Sequence, residues 1–112
     1  MSNAFRPKGP LLSFTGANAA PTSVQVIALE ATTYQDVVVT NTDVANDCVI
    51  GWGLTDALAK TNAAAGVTVN RCYYLLARSQ VVIRVSSGDY MSGITPGSGV
   101  TAVIKVQAGD GE

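Results

Sequence analysis

From Ser23 onward, apolar and polar residues alternate with a period of two along most of this chain. That is the spacing of strands that bury one face. In "SVQVIALE", Val24, Val26 and Ala28 share one side while Gln25, Ile27 and Leu29 share the other. "YQDVVVTNT" follows and runs into the polar turn "NTDVAND"; the next strand, "DCVIGWGL", puts Cys48, Ile50 and Trp52 on one face. Gly51 and Gly53 fall inside that strand, where glycine marks either a bulge or a place where another backbone comes close. "VTVNRCYYLLA", "SQVVIRVSS", "DYMSGIT" and "VTAVIKVQA" then complete seven or eight short strands. In the last of them Ala102, Ile104 and Val106 point inward, and Thr101, Val103, Lys105 and Gln107 point out. Short strands at this spacing predict an all-β domain over residues 23–112, either a two-sheet antiparallel sandwich or a barrel.

Three stretches break the alternation. "TDALAKTNAAAG" is the one helix candidate: Thr55 can cap it, Ala57 to Lys60 favour it, and Gly66 ends it. A surface loop is at least as good a reading of the same residues. Residues 1–22 carry Pro7, Pro10, Pro21, Gly9 and Gly16, which exclude a long helix, yet they also carry Phe5, Leu11, Leu12 and Phe14. Those apolar groups predict an extended N-terminal arm that packs along its own domain or onto a neighbouring subunit. The alternative is a terminus with one short edge strand. "YMSGITPGSG" is a wide turn between the last two strands, long enough to stand off the body or to cross between sheets.

Composition narrows the function classes. The 112 residues suit a single core; 47% are apolar and only 13% charged, which argues against a disordered chain. A net charge of −1 with scattered charges provides no electrostatic footprint for nucleic acid or an anionic membrane. No apolar run reaches the roughly 18 residues of a membrane span, and no signal-peptide pattern is visible. So few charges also suggest that part of the surface is covered by other chains. Cys48 and Cys72 make neither a disulfide framework nor a zinc site. Each lies in an apolar run, as a core thiol would, and a bond between two strands stays open.

Chemistry is sparse. There is no histidine, which excludes serine catalysis by a His relay and a Cys–His pair. The eight acids are dispersed among turn-like neighbours, so an enzyme is not expected, nor a cofactor or a metal. Asp110 and Glu112 in "GDGE" are too few oxygen ligands for calcium. Trp52, Tyr73, Tyr74 and Tyr90 offer flat faces for a sugar, but core packing or an intersubunit contact is the stronger reading of Trp52. Tyr73 and Tyr74 are adjacent and so fall on opposite faces of a strand.

From about Asn41 to Glu112 the chain resembles small tailed-bacteriophage structural proteins of the capsid decoration, or cement, type. The likeness rests on "CVIGWGL", the Ala/Thr stretch "TDALAKTNAAAG", the strand pair "RCYYLLARSQVVIRV" and the closing "DYMSGITPGSGVTAVIKVQAGDGE". It departs at "IKVQAGDGE", where a Thr-Pro-Gly ending is more usual. The resemblance implies a jelly-roll-like β-sandwich on the virion surface, made in the host cytoplasm. It would bridge subunits of the major capsid protein and self-associate as a dimer or trimer. Contact surfaces are then expected on the arm (Phe5, Arg6, Leu11, Leu12, Phe14) and on the loop around Ile94, Thr95 and Pro96. Two alternatives accompany it: a head–tail connector or tail accessory protein, and a carbohydrate-binding module.

Overall fold

The computed structural model describes residues 6–26, 34–65, 71–97 and 99–110. Within them the elements are β1 (Arg6–Ala17), β2 (Ser23–Gln25), β3 (Tyr34–Asn41), β4 (Cys48–Gly53), α1 (Asp56–Ala65), β5 (Cys72–Leu75), β6 (Gln80–Ser86), β7 (Tyr90–Ile94) and β8 (Thr101–Asp110). They build two antiparallel four-stranded sheets that pack face to face as an all-β sandwich. Sheet A has the order β1-β8-β3-β6 and sheet B the order β2-β7-β4-β5. β1 pairs with β8, β2 with β7, β3 with β6 and β4 with β5. The first half of the chain therefore runs beside the second half in reverse order, with α1 at the fold-back.

Alternation produces the core. Val37 and Val39 of β3, Ile83 and Val85 of β6, and Ala102, Ile104 and Val106 of β8 face inward from sheet A. Cys48, Ile50, Leu75 and Met91 meet them from sheet B. Each Val, Ile, Leu or Met among them contributes on the order of 1.5–3 kcal/mol by leaving water. Strand expectations at Ala28, Ile27, Leu29 and Val67 to Asn70 lie outside the described residues.

The stretch expected as an arm is, over Arg6–Ala17, the edge strand β1, paired along its length with β8. Its prolines are compatible with that place. A register shift between Pro7 and Leu11 absorbs Gly9 and Pro10, and an edge strand can do without some amide donors. Phe14 then reaches the core, where it is only 3% exposed.

The helix candidate is a helix. Thr55 caps it: its Oγ1 accepts from the Leu58 N–H at 3.1 Å and its carbonyl from the Ala59 N–H at 3.0 Å. Gly51 and Gly53 sit in regular ladders, so neither is a bulge. They are places of close approach: a Cβ on Gly51 would lie 2.2 Å from the Ala63 nitrogen and 2.6 Å from the Ala59 carbonyl oxygen. Ala59 and Ala63 are buried, and α1 lies directly on the outer side of β4 and β7.

Both cysteines are free thiols. Cys48 pairs across the ladder with Leu75, and Cys72 with Gly51, which keeps the two sulfurs apart. The Cys48 sulfur occupies space left by two glycines, since a Cβ on Gly16 or Gly93 would come within 2.5 or 2.6 Å of it. Burial pushes this thiol up to about 12, so it is a protonated core group.

Candidate functional site

The expected contact residues divide into accessible and inaccessible sets. Leu11 projects from β1 and is 61% exposed, and Pro96 is exposed at the loop. Leu12 and Ile94 are half-buried, and Leu12 packs against the core. Phe14 and Thr95 are spent inside the chain and are not available to a partner. Arg6 lies opposite Asp110 at the start of β1, and Phe5 lies outside the described residues.

Thr95 is inaccessible because the loop is anchored through it. Its Oγ1 donates to the Val100 carbonyl at 2.7 Å, and its carbonyl accepts from the Asn18 side-chain amide at 3.1 Å. Gly99, at φ +76°, makes the turn that a side chain would strain. "SGITPG" crosses from sheet B to sheet A and leaves only its tip at the surface.

A different surface stands out. On sheet A, register aligns Leu11, Gln107, Val38 and Val82 in one row across all four strands. Beside it run Ser13, Lys105, Thr40 and Gln80, and Val103 lies opposite Thr15 farther along. These residues point away from the core, and Val82 and Val103 are 43% and 44% exposed. Charge on this face is low. Asp36 and Arg84 face each other, with the Arg84 Nε donating to Oδ1 at 2.8 Å and Nη2 to Oδ2 at 3.2 Å. That bidentate pairing holds the Arg84 guanidinium above its ordinary value. Lys105 is the other described charge in these rows. No described element lies over the face, whereas α1 covers the corresponding face of sheet B.

Sequence reading singled out Leu11 but not Val38, Val82 or Val103. Their outward direction follows from alternation alone; their assembly into one face required the strand order. Tyr73 and Tyr74 are both exposed on the edge strand β5, and the Tyr74 hydroxyl donates to Asp47 at 3.0 Å, which raises its ionisation above the ordinary phenol value. Among the described residues no group of three or more His, Cys, Asp or Glu side chains is placed to hold a metal ion. No described helix is long and apolar enough to cross a membrane.

Compared with protein-family models, with curated proteins and with solved structures, the chain matches none.

Proposed function

We propose that this chain is a structural protein of a tailed-bacteriophage particle, a cement protein that binds the outer capsid surface and bridges major capsid subunits. The carrying observation is the outer face of sheet A, which no described element covers, with Leu11, Val38, Val82 and Val103 exposed or half-exposed and little net charge among the described residues. A small domain that leaves such a face open gains by covering it with another chain. The nested pairing of β1 with β8, β2 with β7, β3 with β6 and β4 with β5 supports a jelly-roll reading of the sandwich. Jelly rolls are common among viral capsid domains, an argument from fold analogy. The phage assignment itself rests on the resemblance of the segment from Asn41 to Glu112.

The bridging contact would be weak singly and strong in sum, since many copies share one shell. On this reading Leu11 and the row to Val82 take the contact role expected of the arm, and Pro96 marks a second point at the loop tip. The experiment is to count copies per purified particle by quantitative mass spectrometry. Hundreds of copies support a cement protein. A dozen or fewer would move the chain to the neck or tail, and absence from particles would end the virion reading.

A further inference from the structure

A cleft of about 410 Å3 opens where β4 ends and β6 turns into β7. Trp52, Tyr34, Arg71, Arg84, Val85, Ser86 and Asp89 line it. The backbone sets these side chains in place. The backbone N–H of Trp52 donates to the Arg71 carbonyl at 3.1 Å, and Tyr34 and Asp36 stand opposite Ser86 and Arg84 in the β3–β6 ladder. Asp89 closes the turn after β6: its Oδ2 accepts from the Ser86 N–H at 3.1 Å, and its carbonyl accepts from the Val26 N–H at 2.7 Å. Asp89 is fully buried, and its other carboxylate oxygen, Oδ1, has no hydrogen-bond partner. Natural proteins rarely leave such an acceptor unsatisfied without a reason.

We propose that this cleft binds a neutral sugar residue, free or as part of a glycan. An indole and a phenol provide apolar faces of the kind a pyranose ring lies against, and Asp89 Oδ1 is an acceptor in want of a donor. Arg71 and Arg84 are donors in the same cleft. A sugar hydroxyl both donates and accepts, so one ligand class meets the whole set. Charge selects against an anion: Arg84 is already tied to Asp36, and Arg71 shares the cleft with Asp89, so no positive excess remains. The volume falls in the range of small-molecule sites, roughly 300–1,000 Å3. Arg84 borders both this cleft and the outer face of sheet A, while none of the lining residues belongs to the row from Leu11 to Val82.

Trp52 is the single tryptophan of the chain, so no second indole contributes to its emission. The test titrates the full chain with glucose, galactose and N-acetylglucosamine and their disaccharides, and in parallel with inorganic phosphate and with arginine. We expect a saturable emission change with at least one neutral sugar. Binding should weaken about tenfold or more in Asp89→Asn, which keeps the acceptor toward Ser86 but removes the charge. Arg71→Ala, at an exposed position, should also weaken it and settles the matter where Asp89→Asn does not fold. Val82→Lys, on the outer face of sheet A, should titrate as wild type, so the two readings can fail separately. No saturable response to any of these sugars, a response to phosphate or arginine alone, or unchanged binding in Arg71→Ala would overturn the proposal.

Discussion

The two sheets of this sandwich treat their outer faces in opposite ways. Sheet B is roofed: β4 carries glycine at positions 51 and 53, α1 presents Ala59 and Ala63, and backbone meets backbone with no room for a Cβ. No described element roofs sheet A, and a row from Leu11 to Val82 carries exposed and half-buried side chains. The same period of two produces both faces. What differs is side-chain size, small where the chain covers itself and β-branched where it does not. Substitutions on the roofed face should therefore act on stability, and, on the proposed function, substitutions on the open face should act on association.

The sharpest way to break this contrast is Gly51→Ala. Its Cβ would meet backbone atoms of Ala63 and Ala59, which cannot rotate away as a flexible side chain could. Overpacking against backbone should cost about 3 kcal/mol or more, seen as a large drop in the urea midpoint. A midpoint equal to wild type would mean that α1 does not seat on β4. Next comes Thr55→Ala, which removes the cap accepting from Leu58 and should cost about 1 kcal/mol in the same measurement.

Acid should loosen the roof as well. Asp56, in the first turn of α1, accepts from the Ser23 hydroxyl of β2 and from Lys60, and these bonds hold its carboxyl below the ordinary 3.8. A depressed carboxylate stabilises the fold fully above its unfolded value, and that contribution is lost as pH falls through the folded value, here below 3.8. Following the urea midpoint from about pH 6 down to about pH 3 should show a decline that is shallower in Asp56→Asn. Equal slopes would remove Asp56 from the roof's support. The smallest effect on folding is expected on the open face: Val82→Lys should shift stability by no more than about 0.5 kcal/mol. On the proposed capsid role the same variant should reduce the copies carried per particle, while Thr61→Ala, at an exposed position on α1, leaves them unchanged.

How much of this could be read in advance depends on distance along the chain. The inward set of β8 was legible because Ala102, Ile104 and Val106 alternate within seven residues. The helix stayed level with a loop because its seat is supplied by glycines on another strand. β1 was hidden by Pro7 and Pro10, whose disruption is confined to a register shift that no local pattern announces. Thr95 resembled a loop contact, yet its hydroxyl and carbonyl turn inward to Val100 and Asn18. The cleft was the least visible feature. Tyr34, Trp52, Arg71, Arg84 and Asp89 come from separate stretches, and of these only Trp52 carried a signal of its own.

A cryo-EM map of purified phage particles tests the proposed capsid role. On that role this sandwich gives density on the outer shell in hundreds of copies, with Leu11, Val38 and Val82 of sheet A against a neighbouring chain. A map in which sheet A faces solvent and α1 faces the shell would contradict it.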